Sequence, residues 1–422
     1  MQPKIYKRAI TDKIKLWLNR PEIIVLTGAR QTGKTFFMRH ILPTLTTKPI
    51  RYFNFEDFTL RETFQNNPKG FVEAINNQSH LYVFDEFQKV PNFTGLLKAR
   101  YDAGKELLPK IFLTGSASLA IQKEVSESLV GQSIAFTLYS LSWCEQYAVP
   151  TIPLLDLLPG LNSAELGRQL LLSSGEYQRH LEEYLYAGGF PELGELTAEQ
   201  RPDKLRSIVQ TILERDLQSL INADHLFSSK KILEIAAHRV GSRFSFEAVA
   251  SDVQLNSRTV RTITALLEGL YFFTFLYPLS TKGNEYKKMP KSYFYDLGIR
   301  NTLLQWSSLP PDPTALGPVV ENFVFGQLCR FQAYRQPLAL SYWQDYNDNE
   351  VDFIITKDTT RISVEVKYRR TPNHRLTRGI MNFIDRYHPQ YHITFTVDYW
   401  GQSDYHGCRI FWLPAYVAGL LV

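Results

Sequence analysis

The sequence predicts an α/β protein of several domains, the first of which is built around a parallel sheet. Three short apolar runs lead to this prediction: Glu22–Leu26, Leu81–Phe84 and Lys110–Leu113. Each run ends at once in polar residues, which is typical of a buried strand whose carboxyl end faces a crevice. Because 422 residues are too many for one hydrophobic core, roughly two to four domains are expected.

The composition is that of an ordinary globular chain. Glycine and proline number only 23 and 22, which excludes fibrous and low-complexity proteins. No apolar run approaches the roughly 18 residues that cross a bilayer, and charges interrupt the N-terminal segment, so we expect a cytoplasmic protein without membrane association. Because Cys144, Cys329 and Cys408 lie far apart, neither a disulfide framework nor a zinc site is expected.

A glycine-rich loop follows the first strand. Residues 27–35 read Thr-Gly-Ala-Arg-Gln-Thr-Gly-Lys-Thr and lead into a predicted helix over Phe36–Leu42. In such a loop the backbone N–H groups surround phosphates, the lysine reaches the β- and γ-phosphates, and the last hydroxyl ligates Mg²⁺. The sequence therefore predicts a site for ATP and Mg²⁺ formed by Gly28, Ala29, Arg30, Gln31, Thr32, Gly33, Lys34, Thr35 and Phe36.

Acidic and hydroxyl side chains follow the other two strands. Asp85 and Glu86 end the second strand, as expected of a Walker B element. In that role Asp85 would hold Mg²⁺ together with Thr35, and Glu86 would activate water. Thr114 and Ser116 follow the third strand, where a polar side chain would sense the γ-phosphate. The predicted catalytic residues of this domain are thus Lys34, Glu86, Thr114 and Ser116.

These motifs resemble those of a family of bacterial and archaeal AAA+ ATPases. The family pattern G-x-R-Q-x-G-K-T, an Asp-Glu strand end and a Thr-Gly-Ser strand end all occur within the first 145 residues. One departure is Gly131-Gln132, where the family usually has Gly-Arg. The rest of the chain is similar to the uncharacterised C-terminal region of that family, in the segments Tyr186–Pro191, Glu214–Asp216, Lys291–Asp296, Glu321–Val324 and Glu350–Phe353.

The resemblance also implies an arginine that completes the site from a neighbouring subunit. Arg30, Arg100 and Arg215 are the candidates, and Arg100 is included among the predicted catalytic residues. Self-association into a ring or a smaller oligomer is therefore expected.

The middle of the chain carries all of the excess charge. Residues 226–300 have a net charge of +5, and the segments on either side are neutral. Helices predicted over Lys231–Val240, Phe246–Asp252 and Arg258–Leu267 precede a hairpin that turns at Gly283-Asn284, which is the order of a winged helix. We expect DNA to bind this basic surface. The candidate contacts are Arg258, Arg261, Lys282, Lys287, Lys288 and Lys291.

The last segment has the pattern of a metal-dependent nuclease. A helix predicted over Leu316–Phe331 carries Glu321, and two predicted strands carry Asp352 and the sequence Glu365-Val366-Lys367. In a hairpin the carboxylates can converge on one Mg²⁺, and alternation puts Lys367 beside Glu365. The pattern resembles the PD-(D/E)xK superfamily, particularly its Holliday-junction-resolvase-like branch. The resemblance implies Glu321, Asp352 and Glu365 as metal ligands and Lys367 as the catalytic lysine.

The sequence thus predicts an AAA+ P-loop ATPase core in residues 1–145, a helical lid or linker in 146–225, a winged helix in 226–300 and a PD-(D/E)xK-like α/β domain in 301–422. The leading hypothesis is an ATP-hydrolysing protein that binds and remodels DNA, including branched DNA of the Holliday-junction type. One alternative is an ATP-regulated, Mg²⁺-dependent DNA nuclease. Another is a nucleotide-dependent signalling switch that binds a protein.

Overall fold

A computed structural model of the chain describes residues 4–104, 108–115, 128–152, 173–218, 220–279, 289–335, 337–370 and 375–421. The chain divides into two compact units. The first unit comprises Met1–Ser140, Thr211–Leu220 and Gly269–Tyr271, and the second comprises Leu141–Gln210, Ile221–Glu268 and Phe272–Val422. Among the helices of the described residues, none combines the length and the apolar composition that spanning a bilayer requires.

The first unit contains a five-stranded sheet. Its strands are β1 (Ile23–Thr27), β2 (Ile50–Asn54), β3 (Leu81–Asp85), β4 (Lys110–Thr114) and β5 (Ser133–Thr137). All pairs are parallel, in the order β2-β3-β4-β1-β5. Strands β1, β3 and β4 are buried along their whole length, which explains why their sequences are continuous apolar runs. The predicted parallel α/β sheet is confirmed, and a crevice is expected at the carboxyl end of β1, where the strand order reverses.

Short helices accompany this sheet. They are α1 (Ile10–Lys15), α2 (Lys34–Phe36), α3 (Phe58–Asn66), α4 (Pro68–Glu73) and α5 (Phe93–Gly104). Helix α2 follows the glycine-rich loop directly and continues as a π-helical turn over Phe37–Ile41. The ring of Phe84 in β3 packs on that of Phe93 in α5, with centroids 4.9 Å apart. Aromatic packing of this kind fixes β3, and with it the acidic residues at the strand's end.

The second unit contains ten α-helices among the described residues. They are α6 (Trp143–Tyr147), α7 (Ser174–Ala187), α8 (Arg201–Thr211), α9 (Ala223–His238), α10 (Phe246–Val253), α11 (Ser257–Gly269), α12 (Leu297–Leu303), α13 (Gly317–Tyr334), α14 (Arg378–Tyr387) and α15 (Tyr416–Gly419). The last residues of α8 and α11 belong to the first unit. Beyond α8 the chain continues as a π-helical segment over Ile212–Leu217, also in the first unit.

The basic middle segment has the predicted order of three helices and two strands. The strands are β6 (Phe273–Leu276) and β7 (Lys291–Phe294), which pair antiparallel. Asn256 caps α11, since its Oδ1 accepts the N–H of Thr259 at 2.8 Å. Val260, Ile263 and Leu267 of α11 are buried, so the apolar stripe of this helix faces the core.

A six-stranded mixed sheet follows. Its strands are β8 (Ala339–Gln344), β9 (Glu350–Lys357), β10 (Thr360–Val366), β11 (Tyr391–Thr396), β12 (Gly401–Tyr405) and β13 (Cys408–Pro414), in the order β12-β13-β11-β10-β9-β8. The pairs β10–β11 and β11–β13 are parallel and the others antiparallel. The predicted hairpin is the β9–β10 pair. Ile380, Phe383 and Ile384 of α14 pack on one face of the sheet.

Candidate nucleotide-binding site

The loop after β1 depends on two glycines. Gly28 has φ +151° and Gly33 has φ +93°, backbone conformations that other residues rarely adopt. A Cβ atom on Gly28 would also clash with the carbonyl oxygen of Leu138. The loop therefore packs closely against the backbone at Leu138.

Lys34 is the buried cation of this loop. Its side chain curls back, and Nζ donates to the carbonyl oxygens of Gly28 and Ala29 at 2.8 Å each, while only 6% of the residue is exposed. Burial lowers the pKa of Lys34 to about 8, although the charges of Glu86 and Asp85 oppose this shift. The carbonyl groups of the loop thus hold the ammonium group of a residue that lines the cavity described below.

Asp85, at the end of β3, receives three hydroxyl groups. Thr35 Oγ1 donates to Oδ2 at 3.0 Å and Thr114 Oγ1 to Oδ1 at 3.1 Å, and the Tyr52 hydroxyl also donates to Oδ2. The contact with Thr114 follows from the register, because Asp85 and Thr114 are partners in the β3–β4 pair. The structure therefore brings three residues of the predicted site, on three separate segments, into one hydrogen-bonded group.

Glu86 occupies a strained position beside this group. Its φ of +53° lies in the left-handed region, which non-glycine residues seldom adopt and which occurs most often at functional sites. Gln88 Nε2 donates to Glu86 Oε2 at 2.6 Å. The Glu86 side chain lines the same cavity as Lys34 and Thr35.

That cavity has a volume of about 330 Å³, which is within the usual range for small-molecule sites. Its lining combines the glycine-rich loop, the acidic strand end and a segment from far along the chain. The lining residues are Arg30, Gln31, Gly33, Lys34, Thr35, Phe36, Glu86, Thr211 and Arg215. Backbone amides, one ammonium group and a hydroxyl beside a carboxylate fit a nucleoside triphosphate with Mg²⁺.

An ion pair joins the glycine-rich loop to the π-helical segment Ile212–Leu217. Arg30 Nε lies 2.7 Å and 2.6 Å from the two carboxylate oxygens of Asp216. Burial raises the pKa of Asp216, an effect that Arg30 opposes. Asp216 and Arg215 lie on the π-helical segment, a type of irregularity that is frequent at functional sites. Arg100 instead lies on α5, where its Nη1 donates to the Glu73 carbonyl at 3.0 Å.

Sequence reasoning missed several members of this site. Tyr52 was not predicted to contact Asp85, and Asp216 and Thr211 were not predicted to reach the loop. Arg8 was also missed, although its Nη1 donates to the Thr32 carbonyl at 3.1 Å. Only the Glu214–Asp216 segment carried a sequence signal, as one of the segments shared with the family. Ser116, a predicted catalytic residue, lies outside the described residues.

The predicted DNA contacts differ in exposure, and some lie outside the described residues. Arg258 and Arg261 are exposed on α11, and Arg261 also pairs with Glu247 at 3.2 Å. Lys291 is only 2% exposed, so the prediction that it contacts DNA is wrong. Its strand enters the core, where carboxylates surround its ammonium group. The remaining candidates lie outside the described residues: Lys282, Lys287 and Lys288.

The predicted nuclease carboxylates do not form a metal site. Lys291 Nζ lies 3.1 Å from Glu321 Oε1, 2.5 Å from Glu350 Oε1 and 3.5 Å from Asp352 Oδ1. Glu365 pairs instead with Lys367, on the same face as predicted. Among the described residues, no group of three or more His, Cys, Asp or Glu side chains is arranged to hold a metal ion. The set of Glu321, Asp352 and Glu365 therefore does not fit Mg²⁺.

Electrostatics agree with an internal ion pair. Burial lowers the pKa of Lys291, but Tyr293 and the three surrounding carboxylates outweigh burial and hold this pKa well above its usual value. Burial, with the charge of Asp352, raises the pKa of Glu321 to about 7. Burial, with the same charge, raises the pKa of Glu365 to about 8. The ammonium group is thus the firmly charged member of the cluster.

Comparison with known proteins gives family matches for three segments of the chain. Residues 20–147 match a family described as AAA domain. The matched residues contain the parallel sheet and the glycine-rich loop. Residues 178–309 and 316–413 match two families described as domains of unknown function, DUF8612 and DUF4143.

Particular relatives span most of the chain. The uncharacterized protein MJ1544 of Methanocaldococcus jannaschii is 25% identical over 359 residues, which is 82% of this chain and 75% of that protein. The uncharacterized protein Rv2008c of Mycobacterium tuberculosis is 26% identical over 377 residues, 87% of this chain and 75% of that protein. Among solved structures, the Walker-type ATPase PABY2304 of Pyrococcus abyssi shares 13% identity and a TM-score of 0.46, covering 72% of this chain and 99% of that one.

Proposed function

We propose that the first unit binds ATP with Mg²⁺ and hydrolyses it. The observation that carries this proposal is the hydrogen-bonded group of Thr35, Asp85 and Thr114, of which Thr35 lines a cavity together with Lys34. Thr35 and Asp85 would hold Mg²⁺, which when bound neutralises phosphate charge. The test is ATP turnover by the purified chain in Mg²⁺, and a chain without turnover would exclude the proposal.

Each side chain then has a distinct task. Lys34 binds the β- and γ-phosphates with its ammonium group, since it is the cation held within the loop. Glu86 accepts a proton from the attacking water, because it is a carboxylate on the wall of the cavity that Lys34 and Thr35 also line. Thr114 holds Asp85 in place from the neighbouring strand.

Arg215 is the arginine that we propose for stabilising charge on the phosphates. It lines the cavity from the same chain as the loop, whereas Arg30 is paired with Asp216 and Arg100 lies on α5. We predict that Arg215→Ala lowers kcat on the order of 100-fold, because a charged donor to the reacting phosphate is lost. ATP affinity should change much less. The measurement is steady-state turnover together with equilibrium ATP binding.

A mixing experiment decides whether Arg215 acts within its own chain. Arg215→Ala and Lys34→Ala chains are combined at equal amounts. An arginine acting on its own chain leaves the mixture inactive, because neither chain has a complete site. Recovery of turnover would mean that Arg215 acts on a neighbouring subunit. Arg206→Ala, on the exposed part of α8, is the matched control and should retain wild-type turnover.

We further propose that the second unit binds DNA through α11 and that DNA stimulates ATP hydrolysis. The support is the net charge of +5 in residues 226–300 and the exposure of Arg258 and Arg261 on one helix. Each phosphate contact contributes about −0.9 to the slope of log K against log salt. We predict that Arg258→Ala and Arg261→Ala each weaken binding and make that slope shallower by about 0.9.

The assay compares duplex, single-stranded and four-way junction DNA over a series of salt concentrations. Arg206→Ala is the control and should leave the slope unchanged. An unchanged slope in both α11 variants would contradict the proposed contact. If no nucleic acid changes ATP turnover, a nucleotide-dependent switch that binds a protein replaces the DNA proposal.

A further inference from the structure

The acidic cluster of the mixed sheet already contains a cation. Glu321 of α13 and Glu350 and Asp352 of β9 converge on Lys291, which begins β7. Its side chain is 2% exposed and its Nζ lies 5.7 Å from the centroid of the Tyr342 ring. The ammonium group thus has carboxylates on several sides and an aromatic ring beside it, which is the environment that a buried cation requires.

The remaining donors of the cluster are also built into the fold. Tyr293 OH donates to Glu321 Oε1 at 2.6 Å, and the backbone N–H of Val366 donates to Asp352 Oδ2 at 2.8 Å. Gly241, with φ +76°, makes room for the Glu321 carboxyl, since a Cβ atom there would lie 3.1 Å from it. Every one of these contacts orients a carboxylate oxygen, so the cluster is organised around Lys291.

A divalent ion at the same place would meet a fixed positive charge. Mg²⁺ needs about six oxygen ligands at close range, and the carboxylate oxygens that face the centre are within 3.5 Å of the ammonium group. The backbone of Lys291 is held in the β6–β7 pair as the partner of Leu276, and its side chain is 2% exposed. Cation and metal are therefore mutually exclusive.

We propose that the Lys291 ammonium group takes the position of a divalent cation in this cluster, so that the nuclease-like sheet binds no catalytic metal and instead uses its carboxylates to hold β7. With Lys291 in place, these carboxylates hold an ammonium group and not a metal ion. This inference is independent of ATP hydrolysis, because its residues all belong to the second unit.

The test measures Mn²⁺ binding to the full chain without nucleotide, by the electron paramagnetic resonance signal of free Mn²⁺. All proteins carry Asp85→Asn, so that the first unit does not contribute. Without further substitution we expect no bound Mn²⁺ and no cleavage of duplex or four-way junction DNA. Lys291→Met should bind about one Mn²⁺ per chain, because the carboxylates lose their internal cation. Adding Asp352→Asn should remove that binding.

Controls separate this effect from general disruption. Lys230→Met, at an exposed position on α9, should bind no Mn²⁺. Mn²⁺ should raise the Tm of Lys291→Met and leave that of Lys230→Met unchanged. If Lys291→Met does not fold, the double variant Lys291→Met with Glu350→Gln is tested in its place. This variant removes one positive and one negative charge together.

Two results would overturn the proposal. The first is that the chain that retains Lys291 binds Mn²⁺, or cleaves DNA in the presence of Mn²⁺, and that Asp352→Asn abolishes this binding or cleavage. The second is a folded Lys291→Met chain that binds no Mn²⁺, which would mean that the ammonium group fills no metal position.

Discussion

Replacing Lys34 with alanine should lower ATP turnover by about 100- to 1000-fold, the loss typical when a preorganised charged donor is removed. Lys34 is 6% exposed, and the carbonyl groups of Gly28 and Ala29 hold its ammonium group at 2.8 Å. The measurement is release of inorganic phosphate under saturating ATP and Mg²⁺.

The matched control is Lys69→Ala, which removes an exposed ammonium group from α4. Both variants should unfold cooperatively, which circular dichroism on heating would show. Turnover by Lys34→Ala within a factor of two of the Lys69→Ala rate would mean that the glycine-rich loop is not the catalytic phosphate site.

Glu86→Gln should abolish hydrolysis and preserve ATP binding. The carboxylate is a proton acceptor on the cavity wall, and the amide that replaces it has nearly the same size but no basicity. General-base catalysis typically contributes about 100- to 10,000-fold, so single-turnover hydrolysis should slow by that amount. The left-handed backbone at Glu86 is retained, because glutamine introduces no new branching at Cβ.

Glu62→Gln, on the exposed surface of α3, serves as the control and should hydrolyse ATP at the wild-type rate. Equilibrium binding and single-turnover rates are measured on the same samples. Loss of ATP affinity in Glu86→Gln, with an unchanged rate for the bound fraction, would assign Glu86 to binding and not to proton transfer.

The local parts of this site could be predicted from the sequence. Strand, glycine-rich loop and helix are adjacent in the chain, so Gly28, Lys34 and Thr35 follow from spacing alone. Asp85 and Thr114 follow almost as directly, because parallel strands of one sheet end at the same edge. The spacing of neighbouring residues was sufficient to predict the loop, and the shared edge of parallel strands was sufficient to predict Asp85 and Thr114.

The parts that join distant segments could not be predicted. Arg30 and Asp216 are separated by 186 residues, and Tyr52 reaches Asp85 across the edge of the sheet. No periodicity links such positions, because hydrophobic patterns specify which face is buried and not which segment lies opposite. An ion pair of this kind becomes visible only when the chain is folded.

Lys291 shows how a basic sequence can mislead. In the sequence Lys-Lys-Met-Pro-Lys it resembles the other lysines of an exposed hairpin. All four residues of β7 are buried, however, and a buried lysine requires paired carboxylates. Those carboxylates come from Glu321, Glu350 and Asp352. Glu321 lies 30 residues and Asp352 lies 61 residues further along the chain than Lys291. The sequence predicted a hairpin in this segment but not the partners of the Lys291 side chain.

The most direct test of the account is equilibrium ATP binding in Mg²⁺ by the wild-type chain and by Lys34→Ala. Calorimetry should show saturable binding of about one ATP per wild-type chain and binding at least 100-fold weaker in Lys34→Ala, since the ammonium group and its bound phosphates are the central interaction of the site. Absence of ATP binding by the wild-type chain, or equal affinity in the two proteins, would contradict the assignment of the cavity beside β1 as the nucleotide site.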